Sequence, residues 1–98
     1  MPAFTSQELN EQLKARPDWA KSAKTIRRTF AFVGFPEGID FVRRVARKAE
    51  KMNHHPDIDI RFDKVTVALS THDEGGITAQ DFALAAQCDE IFASHFAS

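Results

Sequence analysis

Two runs of alternating apolar residues, joined by a very short connection, constrain the fold of this chain more than any other feature. The runs are Ile58, Ile60, Phe62 and then Val65, Val67, Leu69. A period of two is typical of a β-strand with one buried face, and a two-residue connection is typical of a hairpin. Residues 56–71 therefore predict an antiparallel hairpin that turns at Asp63 and Lys64, with all six apolar side chains facing a helical layer.

The chain before the hairpin predicts a helix and two strands. Thr5 with Glu8 fits a capping box, in which each side chain binds a backbone N–H at the start of a helix. A short edge strand is expected to open at Trp19. Residues 25–35 alternate well enough to predict a longer strand, although Arg28 interrupts its apolar face.

Two further helices are predicted, one on each side of the hairpin. Apolar residues recur at helical spacing over 39–52, after a break rich in glycine and proline over 34–38. Thr78 is a candidate N-cap, with Asp81 three residues further on, for a last helix over about 79–95.

The resulting order of elements is α-β-β-α-β-β-α. Strands joined by hairpins pair antiparallel, and amphipathic helices must cover an apolar sheet face. The sequence therefore predicts an α+β fold, with a four-stranded antiparallel sheet and helices packed on one face. A length of 98 residues accommodates a single domain over 1–98.

Composition and charge exclude several classes of function. The net charge is −1, which provides no field that would favour nucleic acid or an anionic membrane. Cys88 is the single cysteine and has no partner for an internal disulfide. The N-terminus lacks the basic and apolar regions of a signal peptide, and no apolar run approaches the length of a membrane span. We expect a cytoplasmic protein that binds neither membrane nor nucleic acid.

Three of the four histidines lie close to the predicted hairpin in sequence. With the predicted turn, Ile58 pairs with Leu69, and the same ladder continued outwards places His55 opposite His72. By parity these two imidazoles lie on the face away from the apolar side chains, with His54 beside them. The histidines are therefore expected to meet at one place.

Clustered imidazoles beside carboxylates indicate proton-transfer chemistry. Imidazole has a reference pKa of about 6.5, so it donates or accepts a proton near neutral pH. Glu50 and Asp81 supply carboxylates near the same histidines, which completes a plausible acid–base set. The sequence shows no serine or cysteine poised as a nucleophile and no glycine-rich phosphate loop.

These residues belong to a longer pattern. It consists of Glu50-Lys51-Met52-Asn53-His54-His55-Pro56, followed by Phe62, His72 and Asp81. The stretches Leu69-Ser70-Thr71-His72 and Asp63-Lys64-Val65 extend it, and the regions of Trp19 and Phe30-Ala31-Phe32 agree more loosely. The whole pattern resembles the pterin-4a-carbinolamine dehydratase family. Members often carry Trp two positions after the proline, where this chain has Ile58, which removes a ring that could line the site.

The resemblance implies a reaction and a role for each residue. The substrate would be 4a-hydroxytetrahydrobiopterin and the product quinonoid dihydropterin, in the recycling of the pterin that aromatic amino acid hydroxylases oxidise. His54 and His72 would be the acid–base residues, and His55 would bind and orient the pterin. The supporting residues would be Glu50, Pro56 and Asp81. The resemblance also implies no metal, no organic cofactor, and a homodimer or homotetramer.

A second class of function is a dimerisation or regulatory binding module built on the same fold. An animal member of the family doubles as a dimerisation cofactor of a homeodomain transcription factor. Retention of all three histidines favours an enzyme, because a pure binding partner has no reason to keep them.

Three other interpretations concern the histidines and the basic residues. The histidines could be structural, or they could bind zinc together with a carboxylate. Adjacent residues on an extended chain point to opposite sides, so His54 and His55 are poorly placed to hold one ion. The basic run over 43–51 could indicate nucleic-acid binding, but it is more typical of a solvated helix face, because Asp40 and Glu50 pair with it at helical spacing.

Overall fold

The computed structural model describes residues 2–97, and its elements follow the predicted order. The helices are α1 (Ser6–Lys14), α2 (Phe35–Met52) and α3 (Ala79–His95), and the strands are β1 (Ala20–Ser22), β2 (Thr25–Ala31), β3 (Asp57–Arg61) and β4 (Lys64–Leu69). A short 3₁₀ helix, His72–Glu74, lies between β4 and α3. Within residues 2–97, no helix is both long enough and apolar enough to cross a membrane.

The four strands form one antiparallel sheet in the order β1-β2-β4-β3. In its two central strands Ile26 lies opposite Leu69 and Phe30 opposite Val65, and all four side chains are buried. The helices contribute Phe41, Val45, Ala49, Leu84, Ala85, Cys88 and Ile91 to the same core. The predicted α+β fold, with a four-stranded antiparallel sheet covered by helices, is confirmed.

Both predicted capping boxes are present at the helix starts. The Thr5 backbone N–H donates to Glu8 Oε1 at 2.9 Å, and the Glu8 N–H donates to Thr5 Oγ1 at 3.2 Å. Thr78 caps α3 in the same way with Asp81 as its acidic partner. These local signals therefore identified the helix starts, because capping depends on residues within one turn.

The predicted register of the hairpin is wrong by two residues. Arg61 pairs with Lys64 and Ile58 with Val67, so the turn consists of Phe62 and Asp63. Phe62 adopts the left-handed conformation, with φ at 52°, that tight hairpin turns require. A shift of two residues leaves every side chain on its original face, so the alternation could not distinguish the two registers.

The six apolar side chains of the hairpin do not share one degree of burial. The three on the central strand β4 are buried, whereas Ile58 is half-buried at the sheet edge. Ile60 is 39% exposed and Phe62, in the turn, is 72% exposed. The expectation that all six face the helical layer is therefore wrong for Phe62 and holds fully only for β4, because β3 is an edge strand.

Helix α2 begins four residues earlier than predicted, inside the glycine and proline break. Pro36 occupies its first turn, where the fixed proline φ suits a helix and the missing N–H is not needed. Gly38 is buried, and a Cβ there would lie 3.4 Å from Val65 Cγ2 and 3.5 Å from Phe32 Cδ2. The glycine thus lets the helix approach the sheet closely instead of ending it.

Arg28 does lie on the apolar face of the sheet, opposite Val67. Its guanidinium carbon is 4.3 Å from the centre of the Phe30 ring and 5.3 Å from that of Phe92. Its Nη1 donates to Asp89 Oδ1 of α3 at 2.7 Å. The charge is therefore accommodated by aromatic faces and an ion pair, at the edge of the core.

Candidate active site

A cleft of about 250 Å³ lies where β4 ends, between the C-terminal end of α2 and the first turn of α3. Its lining residues are Asn53, His54, His55, Ser70, Thr71, His72, Asp73 and Gln80. All three histidines singled out from the sequence therefore line one cleft. They reach it from two segments, the link between α2 and β3 and the segment that follows β4.

The histidines do not meet as a cross-strand pair, which corrects the predicted ladder. The pairing of β3 with β4 ends at Asp57 and Ala68, before either histidine segment. The observed register, continued outwards, would place His55 opposite Ser70, and His72 lies in the 3₁₀ helix. Proximity thus arises from the bends in the link that precedes β3 and in the segment that follows β4, which no ladder extrapolation describes.

His54 is buried and held by a carboxylate. Its Nε2 lies 2.5 Å from Oδ1 of Asp81, a residue with no exposed surface. Because a carboxylate only accepts hydrogen bonds, Nε2 carries the proton. The nitrogen of His54 that is left for a ligand in the cleft is therefore Nδ1.

Asp81 connects the helix cap to the histidine. Its Oδ2 accepts from the Thr78 backbone N–H at 2.9 Å and from Thr71 Oγ1 at 2.8 Å. The Thr71 and Thr78 hydroxyls are themselves 2.9 Å apart. With Oδ2 occupied by these donors, Oδ1 is directed at His54, so the start of α3 fixes the tautomer of the imidazole.

His55 and His72 are exposed and have different surroundings. His55 Nε2 lies 2.8 Å from Glu50 Oε1, and both side chains are mostly exposed to solvent. Within residues 2–97, no hydrogen bond involves the His72 ring. One imidazole is thus oriented by an exposed carboxylate, and the other is exposed to solvent.

The predicted supporting residues divide into two groups. Asp81 lies directly behind His54, and Glu50 contacts His55 from outside the cleft lining. Pro56 is half-buried and does not line the cleft, and Ile58 is directed at the core beside Val67. The residue at position 58 therefore does not line the cleft of this protein.

Sequence reasoning did not assign roles to several residues of the cleft. Asn53 ends α2 in the left-handed conformation, with φ at 50°, and so turns the chain toward His54. Gln80 Nε2 donates to the Met52 carbonyl at 3.4 Å and ties α3 to the end of α2. Thr71 sits beside His72 in the stretch that carries the family pattern, which was the available signal for its role.

The geometry defines a class of protein: a small α+β domain with a cleft lined by three imidazoles. Three imidazoles share one cleft, and one of them has its tautomer fixed by a buried carboxylate. Such a site can take a proton at one atom and deliver a proton at another. No group of three or more His, Cys, Asp or Glu side chains arranged to hold a metal ion occurs in the described part of the chain, residues 2–97.

Comparison with known sequences identifies the family. The family model described as Pterin 4 alpha carbinolamine dehydratase matches residues 2–91. A relative from Chloroflexus aurantiacus, named a pterin-4-alpha-carbinolamine dehydratase, is 54% identical over 91 residues, covering 93% of this chain and 98% of the relative. A relative of the same name from Herpetosiphon aurantiacus is 51% identical over 94 residues, covering 96% and 98%. The chain belongs to the pterin-4-alpha-carbinolamine dehydratase family.

Solved structures agree with this assignment. A transcriptional coactivator/pterin dehydratase from Brucella melitensis superposes with a TM-score of 0.87 at 35% identity, covering 91% of this chain and 97% of that one. A pterin dehydratase-like protein identified as a RuBisCO assembly factor in the α-carboxysome has a TM-score of 0.61 at 22% identity, covering 74% and 84%. The second similarity shows a shared fold alone.

Proposed function

We propose that this protein dehydrates a 4a-hydroxytetrahydropterin to the quinonoid dihydropterin by histidine general acid–base catalysis. Membership of the dehydratase family supports the reaction class. The observation that carries the mechanism is the meeting of His54, His55 and His72 in one cleft, with His54 held by a buried carboxylate. The physiological role would be pterin recycling for aromatic amino acid hydroxylases.

The reaction requires two proton transfers and no change of oxidation state. The C4a–O bond breaks, the N5–H bond breaks, and a C4a=N5 double bond forms. The departing hydroxyl takes one proton and leaves as water, while the N5 proton passes to a base. A site with one imidazole free to accept and another free to donate supplies both transfers.

His54 is suited to accept the N5 proton. Its Nε2–H is engaged by Asp81, so the Nδ1 lone pair is the available base, and the carboxylate stabilises the imidazolium that forms. His72 is suited to protonate the departing hydroxyl, because it lines the cleft and is exposed to solvent. Water then restores both histidines to their starting states.

His55 has a separate role in substrate binding. Its Nε2 is engaged by Glu50, so it presents a ring with one remaining nitrogen to the pterin. Pro56 follows directly and limits the conformations of His55, since the residue before a proline is confined to extended geometry. We assign Glu50 and Pro56 to the positioning of His55.

A stopped-flow assay of carbinolamine decay, with and without the protein, tests this proposal. His54→Ala and His72→Ala should each lower kcat by roughly 10²-fold or less, because water partly substitutes for the missing imidazole. If both act in one proton path, the double variant should be no worse than about the larger single effect. His95→Ala is the matched control, since this fourth histidine lies at the end of α3 and outside the cleft. Folded His54→Ala and His72→Ala variants with wild-type kcat/KM would overturn the mechanism.

The proposal includes a homodimer or homotetramer in the cytoplasm. Strands β1 and β3 are both sheet edges, and small domains commonly cover or pair such edges. Multi-angle light scattering at tens of micromolar protein should give at least twice the mass of one chain, and fractionation should recover the protein in the cytoplasmic pool. A monomer mass would contradict the assembly.

A second candidate function is a binding module that does not depend on turnover. Val33 is 95% exposed and Phe62 is 72% exposed. The backbone hydrogen bond from Phe32 to Asp63 holds their two loops together. Exposed apolar side chains of this kind are typical of protein-binding surfaces. A pull-down with the double variant of His54 and His72 would separate the functions, because a binding partner should still be captured by the inactive protein and lost with Val33→Ser.

A further inference from the structure

A second cavity, of about 370 Å³, lies at the other end of α3 and shares no lining residue with the histidine cleft. It is formed by the segment between α1 and β1, by Arg28 of β2 and by the last turns of α3. Charged residues occupy one part of its wall: Arg16, Asp18, Arg28 and Asp89. The remainder of the wall is apolar and consists of Ala15, Pro17, Phe92, Ala93 and Ala97.

Asp89 is the fully engaged member of the charged group. It accepts from Arg28 Nη1 at 2.7 Å, from Arg16 Nη1 at 3.2 Å, and from the Trp19 indole N–H at 2.9 and 3.1 Å. Three donors satisfy this carboxylate, so it holds the site together and has little capacity left for a ligand.

The other three charged residues retain free hydrogen-bonding capacity. A guanidinium has five N–H donors, and the bonds of Arg28 and Arg16 to protein use only Nη1 of each. No buried side-chain nitrogen or oxygen within residues 2–97 lacks a partner, so the remaining donors of Arg28, a residue of the cavity wall, keep some exposed surface. Asp18 is 69% exposed and lies 3.6 Å from Arg28, which leaves most of its carboxylate open.

We infer that this cavity binds a free α-amino acid with an apolar side chain. The α-carboxylate binds the free donors of Arg28 and Arg16, and the α-ammonium binds Asp18. The side chain packs on Phe92 and Ala93. A lone anion would meet the carboxylates of Asp18 and Asp89, and a lone cation would meet two guanidiniums. A zwitterion places its carboxylate at the guanidiniums and its ammonium at Asp18, so charges of both signs are compensated.

Trp19 provides a direct probe of occupancy. It is the single tryptophan in a chain without tyrosine, and its indole N–H is bonded to Asp89. A ligand on Arg28 and Arg16 changes the field at that carboxylate and hence at the indole. The probes are L-leucine, isocaproate, which lacks the ammonium, isoamylamine, which lacks the carboxylate, and glycine, which lacks the side chain. None of them absorbs where tryptophan is excited.

L-Leucine should produce a saturable change in Trp19 fluorescence and a shift of its single indole N–H resonance. Isoamylamine should bind at least about tenfold more weakly, because it loses charged hydrogen bonds to largely buried Arg28. Isocaproate should bind a few-fold more weakly, up to about fivefold, because Asp18 is exposed. Glycine should bind at least about tenfold more weakly because it buries no side chain.

Two variants and a control connect these effects to the named residues. Asp18→Asn should reduce the affinity for L-leucine to that for isocaproate and should not weaken isocaproate. Arg16→Gln should weaken the binding of both L-leucine and isocaproate, because each ligand carries a carboxylate. Glu11→Gln removes an exposed charge of α1 outside the cavity and should leave the affinities for L-leucine and isocaproate unchanged. No saturable response to L-leucine, equal binding of L-leucine and isocaproate to the wild type, or an unchanged L-leucine affinity in Asp18→Asn would each overturn the inference. Carbinolamine turnover is a separate readout, so the two proposals fail independently.

Discussion

Replacement of Asp81 by asparagine is the perturbation that most directly tests how the fold positions His54, the proposed base. Asparagine keeps the size of the side chain but offers one acceptor oxygen and one donor amide. The oxygen can still accept from Thr71 and from the Thr78 backbone, where Oδ2 lies now. The amide then points at His54 Nε2, which has to become an acceptor. The proton of the imidazole moves to Nδ1, and the cleft loses its base.

The contacts of Asp81 indicate how much stability and how much activity the substitutions should remove. A hydrogen bond to a charged group contributes about 1.5–3 kcal/mol, and Asp81→Asn exchanges one such bond for a neutral one while weakening two others. We expect the free energy of unfolding to fall by about 2 kcal/mol for Asp81→Asn. Asp81→Ala leaves three donors without an acceptor and should cost about 3–5 kcal/mol. Because His54 would present the wrong tautomer, kcat for Asp81→Asn should fall by about 10- to 100-fold.

Two measurements check this reasoning. Urea unfolding gives the stability of each variant, and stopped-flow decay of the carbinolamine gives kcat and KM. Nitrogen chemical shifts of the imidazole should show the proton on Nε2 of His54 in the wild type and on Nδ1 in Asp81→Asn. Glu90→Gln, an exposed charge change on the same helix, is the control and should alter neither quantity. A folded Asp81→Asn protein with the wild-type tautomer and wild-type kcat/KM would refute the role of Asp81.

Four further predictions concern His55, metal removal and the buried thiol of Cys88. His55→Ala should raise KM by more than it lowers kcat, since His55 is exposed and engaged by Glu50; steady-state kinetics showing a pure loss of kcat would contradict this. Chelator treatment should leave activity unchanged, because His54 and His55 bind different carboxylates; loss of activity that zinc restores would contradict it. Burial raises the pKa of the Cys88 thiol to about 12, so a thiol reagent at neutral pH should modify the native protein far more slowly than the unfolded chain. Because the buried thiol is stabilised in its neutral form, its contribution to the free energy of unfolding should be constant below its ordinary pKa of 9.0. The contribution should be lost as the pH rises toward 12, and urea unfolding at a series of pH values measures this loss.

Local patterns determined the elements of this protein. Capping at Thr5 and Thr78 depends on residues within one helical turn, and strand alternation depends on neighbours two positions apart. The start of α2 was missed because the sequence of Phe35-Pro36 is compatible both with a break and with a helix start. What selects the helix is the close packing of Gly38 against Val65 of β4, a residue far away in the sequence.

The site shows the same division between sequence and tertiary structure. The sequence alone singled out the three histidines and Asp81 as candidates, since the family pattern carries them at recognisable spacings. It could not tell that His54 is buried and His55 exposed, because both follow α2 directly and the left-handed turn at Asn53 decides their directions. Only the tertiary structure brings the cap of α3 against His54, across 27 positions of the chain. The atom of His54 left to meet a substrate is therefore decided by a long-range hydrogen bond, which local sequence does not encode.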